Sequence, residues 1–389
     1  MVFIVYNCKN PVEESDYFNP SEVATHFSGK HFVGSDTCIE CHSEIYSTHL
    51  ETAHFNTSAI ADTSNVLGSF KTGSNLLDLK DVSFEMKIKE DSLFQHTKIK
   101  NRSLATFPSK FDIVIGSGVK GQSYLTWDNN ELYQLHVSYY TPTDDWVNSP
   151  SFPTYHYTRP IGDACLKCHM TFANNNNSKK HNTYNREKMV YGIDCERCHR
   201  PSKKHVVYHR ANPEAKEAKY MLKIKDLSRQ QRLDACAQCH SGLRRELIKG
   251  TPFSFLTGEN LNEYSRNYET KVSNDKLDVH GNQYGLLTSS ECFKQSENMD
   301  CTTCHDPHKN QRNNSAYFNS KCISCHNMNS TLCSEQEEEN LKMNNNCIAC
   351  HMPTKASKAM MVQLNKDSLE TSFYVRTHLI GKYSEDQLK

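Results

Sequence analysis

Seven segments of the chain read Cys-x-x-Cys-His. Cys38 and Cys41 precede His42, Cys165 and Cys168 precede His169, and Cys195 and Cys198 precede His199. Cys236 and Cys239 precede His240, and Cys301 and Cys304 precede His305. Cys322 and Cys325 precede His326, and Cys347 and Cys350 precede His351. Two thiols three residues apart lie on one helical turn, where they can form thioethers to two vinyl groups. A histidine directly after the second thiol then stands under the ring those thioethers hold. This is the attachment pattern of haem c, with the histidine as proximal iron ligand. Seven motifs predict seven covalent haems. Zinc ribbons and thioredoxin-like sites also use Cys-x-x-Cys, but neither requires histidine at the next position. With 20 histidines in 389 residues, seven such coincidences have no chance origin.

Each iron needs a partner on its second face or leaves a reactive vacancy. Thirteen histidines remain after the seven proximal ones, more than the sixth positions require. Met170 and Met352 directly follow proximal histidines and cannot reach the opposite face. The other methionines carry no spacing signal, and core filling is their default. His308 and His205 follow proximal histidines too closely to return to the same iron, but each can reach a neighbouring haem. His54, His280 and His378 lie in segments anchored near motifs.

The surrounding chain must position these groups. The hydrophobic fraction is 37%, low for a soluble domain. Haem rings supply the missing apolar surface, so the apoprotein should fold poorly. The formal charge is zero, with 45 basic and 45 acidic residues, which favours no nucleic acid. Seven haems add about 14 propionates, giving a net charge of about −7 oxidised and about −14 reduced. Redox proteins with basic docking surfaces are the expected electron donors and acceptors.

The first motif stands alone, and the other six crowd between 165 and 351. So little protein per cofactor requires the haems to pack against one another. Between them, Phe84 to Lys89, Thr97 to Lys100, Phe111 to Ile115, Ser123 to Trp127 and Leu132 to Val137 read as strands. Asp128-Asn129-Asn130 reads as a tight turn. Gly116 to Gly121 lacks the strand–helix context of a phosphate loop and reads as a connection. After residue 150, Glu214 to Lys225 and Glu335 to Met343 read as helices, and Asn174 to Asn177 as an exposed loop. The expected fold is therefore mainly short α-helices and irregular loops wrapped around seven haems, with a small antiparallel β insert. The expected division is a leader remnant and tether over 1–20, a first haem segment over 21–77, a haem-free β insert over 78–148, and a six-haem domain over 149–389.

Haem c is attached outside the cytoplasm, so an extracytoplasmic, periplasmic location is expected. Met1 to Asn7 is apolar but short, and Cys8 follows it before a polar run. This arrangement resembles the end of a lipoprotein signal, with Cys8 expected as the lipidated residue and an incidental cysteine as the alternative. No other apolar stretch approaches the about 20 residues of a membrane span. Cys292 and Cys333 belong to no motif, and an oxidising compartment favours a disulfide between them.

Several segments resemble the cytochrome c-552/c-554 multihaem family, related to hydroxylamine oxidoreductase. His31-Phe32-Val33-Gly34-Ser35-Asp36-Thr37 before the first motif and Glu44-Ile45-Tyr46 after it are similar to the family's opening. Tyr191-Gly192-Ile193-Asp194 with the third motif and His205-Val206 resembles its central segment. Val279-His280-Gly281-Asn282-Gln283, Asp306-Pro307-His308, Met352-Pro353 after the last motif, and Arg376-Thr377-His378 match as well. The family's Gly-Pro after the central motif is Arg200-Pro201 here. The resemblance implies His54, His205, His280, His308 and His378 as distal ligands. The family holds both electron carriers and reductases of small nitrogen or sulfur compounds. All seven motifs are uniform and no catalytic residue stands out. Electron transfer in an extracytoplasmic respiratory chain is the expected role. The alternatives are a reductase of nitrite, hydroxylamine or tetrathionate at an open haem, or a docking subunit of a redox complex.

Overall fold

The computed structural model describes residues 17–100, 106–177, 179–267, 277–326, 346–365 and 369–388. Cys8, Cys333 and the expected helix over Glu335 to Met343 lie outside these residues.

Two antiparallel sheets form the conventional part of the molecule. Their strands are β1 (Ser58–Ile60), β2 (Leu76–Asp78), β3 (Val82–Lys89), β4 (Ser92–Ile99), β5 (Thr106–Lys110) and β6 (Ile113–Ile115). Then follow β7 (Gly121–Asp128), β8 (Glu131–Tyr140), β9 (Asp145–Asn148), β10 (Arg159–Pro160), β11 (Thr354–Gln363) and β12 (Glu370–Arg376). Strands β2 to β5 form a four-stranded meander. The larger sheet runs β12-β11-β9-β8-β7-β6-β1, with β10 also paired to β8. Asp128 pairs with Glu131, so Asn129 and Asn130 make a two-residue hairpin turn, with Asn129 at φ 52°.

Alternation along these strands sends side chains to two different cores. Val114, Tyr124, Leu135 and Val137 pack with Phe84, Met86, Phe111 and Trp146 between the two sheets. Ile113, Leu125 and Leu132 face the other way, toward Leu166, Met170, Phe172 and Phe253. Leu166 lies inside the second Cys-x-x-Cys-His motif. The large sheet is thus a wall with an ordinary core on one face and motif-bearing chain on the other.

The expectation of mainly short helices around haems, with only a small β insert, is overturned. Helix takes 28% of the residues and strand 26%, the strands lying in several antiparallel sheets. The sheet does not stop at 78 and 148: β1 joins from the first motif's segment, and the β11–β12 hairpin joins through Asn148 opposite Gln363. The segment Glu214 to Lys225 is not an α-helix either; it is extended and irregular, with one short turn at Ile224–Asp226.

The sheet core carries one pH-sensitive group. His136 is buried, its ring stacked on Phe84 at 4.8 Å between centroids, and its Nε2 accepts the Tyr157 N–H at 2.8 Å. Burial, helped by the neighbouring His156 ring, pushes its pKa down to about 4. The unfolded chain binds a proton below about 6.5 that the folded core refuses. Stability from this group is complete above that pH and declines as pH falls toward 4, by about 3 kcal/mol in total. Hydrogen exchange of the β8 amides, corrected for intrinsic rate, should show weaker protection at pH 4.5 than at pH 7. Equal protection at both would remove His136 from the account.

Candidate haem-binding histidine network

The first Cys-x-x-Cys-His motif opens a helix, and the others fold as short helical turns or close a helix. The motif helices are α1 (Ile39–Leu50), α2 (Asp163–Leu166), α3 (Cys195–His199), α5 (Arg229–His240), α6 (Ser315–His326) and α7 (Cys347–His351), with α4 (Lys203–Ala211) directly after α3. The fifth motif begins in a 3-10 turn, Cys301–Thr303. Local capping sets several of these turns. The Asp194 carboxylate accepts the Cys195 N–H, and Ser228 with Gln231 forms a capping box on α5. Asp300 and Thr303 do the same before the fifth motif.

Four of the motif histidines share a hydrogen-bonding habit. His169 Nδ1 lies 2.9 Å from the Thr57 hydroxyl, and His240 Nδ1 3.2 Å from Gln283 Oε1. His351 Nδ1 lies 2.8 Å from the Gly381 carbonyl, and His199 Nδ1 3.5 Å from that of Leu222. An Nδ1–H that donates in this way fixes the tautomer and leaves Nε2 bare for a metal.

A second imidazole stands opposite in four cases. Ring centroids are 6.5 Å apart for His42 and His205, and 6.2 Å for His199 and His308. They are 6.1 Å apart for His305 and His378, and 6.2 Å for His240 and His54. Two metal–nitrogen bonds of about 2 Å, plus about 1.1 Å from each nitrogen to its ring centre, put two axial imidazoles about 6 Å apart. The observed spacing therefore has room for one iron between each pair. His280 is the neighbour of His169: burial first, then the His280 ring, pushes His169 down to about 4. Burial does the same to His54 and His378, each to about 4. His205 Nδ1 donates to the Lys219 carbonyl at 2.8 Å, which aims its Nε2 at His42. Apolar side chains are exposed beside motifs, among them Ile39 and Ile45 on α1. Bare Nε2 atoms, paired rings and uncovered apolar faces together fit a covalently held macrocycle. Among the described residues no three His, Cys, Asp or Glu side chains converge as a metal cluster would.

Residues 147–200 match the family model described as cytochrome c554 and c-prime. No curated protein sequence matches the chain. Among solved structures, an outer cell wall cytochrome, OcwA, shares the fold. The TM-score is 0.55 at 17% identity, covering 90% of this chain and 79% of that one. Both likenesses are to cytochromes, and the family match spans the second and third Cys-x-x-Cys-His motifs.

The motifs touch one another directly. Cys195 lies within hydrogen-bonding reach of Cys38, Cys168 of Cys239, Cys236 of Cys301, and Cys322 of Cys347. Cys198 lies near Cys239, and Cys304 near Cys322. Polar contacts brace the same pairs. The Glu196 carboxylate accepts the Val33 and Gly34 N–H groups, joining motifs one and three. Arg232 holds Asp300 at 2.5 Å, joining four and five. The motifs therefore run one, three, four, five, six, seven, with the second attached at the fourth.

The paired histidines interlock this series. The chain after motif one supplies His54 to motif four. The helix after motif three, α4, supplies His205 to motif one. His308, just past motif five, reaches motif three. Gly192 holds one crossing in place. It has φ +64°, and a Cβ there would lie 2.3 Å from the Phe55 carbonyl oxygen. The Ile193 N–H donates to the His54 carbonyl at 2.8 Å. Gly192→Ala should cost about 2 kcal/mol or more through strain and clash and push His54 off its partner. Thermal unfolding with a spin-state spectrum reads both effects. An unchanged Tm would contradict the close approach.

Sequence reasoning passed over His49. It is buried on α1, its Nε2 is 3.6 Å from Asp194 Oδ1, and its ring is 6.4 Å from that of His308. Nothing in its sequence position, seven residues after His42, marks it. Cys292 lies near Cys304 and Cys325 and carries a free thiol; its expected partner, Cys333, is outside the described residues. Among the described residues no helix is long and apolar enough to cross a membrane.

Proposed function

We propose that this protein carries seven covalent haems and conducts electrons along them, outside the cytoplasm, between redox-protein partners of a respiratory chain. The observation that carries the reading is the four imidazole pairs spaced for one iron, His42–His205, His199–His308, His305–His378 and His240–His54. Two strong-field nitrogen ligands give a low-spin iron that exchanges electrons without binding substrate. In this reading His42, His169, His199, His240, His305, His326 and His351 are proximal ligands. His205, His280, His308, His54 and His378 serve, in that order, motifs one, two, three, four and five. Sulfur-to-sulfur contact between motifs supports an electron path in the order one, three, four, five, six, seven, with the second as a branch. A leader ending at Cys8, with a lipid on that residue, would hold the conduit at a periplasmic membrane surface.

Haem content tests the reading. The pyridine haemochrome assay and intact mass of protein from a host competent in haem attachment should both give seven haems per chain. Four or fewer would overturn it.

A further inference from the structure

We infer that Lys167 and Arg197 form a buried cationic centre that makes the junction of motifs two, three and four the resting place of the first electron. The inference rests on the seven-haem conduit proposed above.

Both side chains come from the variable positions of motifs, Lys167 from the second and Arg197 from the third. Lys167 is 4% exposed and Arg197 8%. They meet where Cys168 of motif two contacts Cys239 of motif four, with Cys198 of motif three nearby. Cys239 Sγ lies 3.5 Å from the Lys167 carbonyl oxygen, Cys168 is within reach of Cys239, and Cys198 is close to both Arg197 and Cys239. The Arg197 guanidinium donates to the Lys167 carbonyl at 3.2 Å and more weakly to Thr171 O at 3.5 Å, and it lies over Phe253. Its Nε has no partner. Lys167 Nζ donates to the Leu243 carbonyl at 2.7 Å.

These contacts are all to neutral oxygens. Among the described residues no carboxylate lies within ion-pair distance of either cation. The nearby acids are engaged elsewhere. Glu196 takes Val33, Gly34 and Ser202 on the opposite face of the same turn. Asp194 caps Cys195, and Asp234 takes Gln230 and the Leu261 N–H. Arg244, a third buried cation, faces Lys167 and bonds to Ser241, Asn262 and Ser265. Arginine does not lose its proton in a protein. A buried charge with no counter-charge in the protein costs free energy unless something negative arrives beside it. Beyond the fixed charge of the propionates, an electron on the adjoining haem supplies such a charge. At the low dielectric of a buried site the attraction reaches across several ångströms.

Potentiometric titration of the full holoprotein, followed in the haem α-band with haem counted on the same sample, tests the inference. In Lys167→Met and in Arg197→Met the highest-potential component should fall by at least tenfold in its reduction equilibrium, about 59 mV for one electron. Lys167→Arg should retain the wild-type value, as should Lys80→Met at an exposed site in the sheet region. If Arg197→Met fails to load haem, the Lys167 pair decides alone. A fully loaded Lys167→Met protein whose highest potential is unchanged, or in which a lower component moves instead, would overturn the inference. A wild-type protein with fewer than seven titrating haems would instead remove the conduit on which it rests.

Discussion

Replacing Cys236 and Cys239 by alanine should abolish the folded holoprotein rather than subtract one haem from it. The fourth motif closes α5, and its cysteines touch the second, third and fifth motifs. His240 faces His54, which reaches it from the far end of the first motif's segment. A macrocycle burying several hundred Å² of apolar surface contributes on the order of 10 kcal/mol. That matches the roughly 5–15 kcal/mol net stability of a whole domain. Removing it from the centre also frees His54 and unbraces the Arg232–Asp300 pair. The same double change at Cys347 and Cys350, at the end of the series, should leave a soluble six-haem protein. Haem-stained gels and limited proteolysis compare the two. A stable six-haem product from the fourth-motif variant would show that the haems do not share one core.

His308→Ala should convert one haem to high spin while the others keep their spectra. His308 is the ring facing His199 at 6.2 Å, nearly parallel to it, at 16° between planes. The loop after motif five that carries it also places the Asp306 carboxylate 3.4 Å from its Nδ1, leaving Nε2 toward the iron position. His49 is the alternative ring, at 6.4 Å from His308 but turned 65° and held toward Asp194. His49→Ala should therefore remain low-spin. Magnetic circular dichroism separates the cases, and carbon monoxide should bind the reduced His308 variant at one new site. A low-spin His308→Ala spectrum, or a high-spin His49→Ala spectrum, would reassign the third motif's partner.

The contrast between these two histidines shows how much could be read before folding. The seven repeats were legible because thioether chemistry fixes cysteine and histidine within five consecutive residues. The distal partners come from remote segments, so local spacing could only show that His205 and His308 cannot return to their own iron. Resemblance supplied the other three, and no signal supplied His49. The strands over 84–89 and 123–137 were legible because one face of each meets an apolar core. The β11–β12 hairpin was not, since Lys355 and Lys358 keep much of it exposed and blur its alternation. That hairpin, with β1, is what turns a supposed insert into the wall of the molecule.

The failed helix over Glu214 to Lys225 has a specific cause. Its Glu-Ala-Lys repeats have high helical propensity but no apolar stripe to pack. The Lys219 and Leu222 carbonyls are instead needed by the His205 and His199 rings. A helix would consume those carbonyls in its own ladder. Orienting two iron-facing imidazoles thus competes with local propensity, and packing decides the outcome.

Conduction without small-molecule turnover is tested most directly by mixing the fully reduced protein with candidate acceptors and following the haem spectrum. The predicted result is rapid reoxidation by an oxidised redox protein and slow reaction with nitrite, hydroxylamine and tetrathionate. Sustained turnover of any of these three at tens per second, within the ordinary enzyme range, would contradict the account and make this protein a reductase.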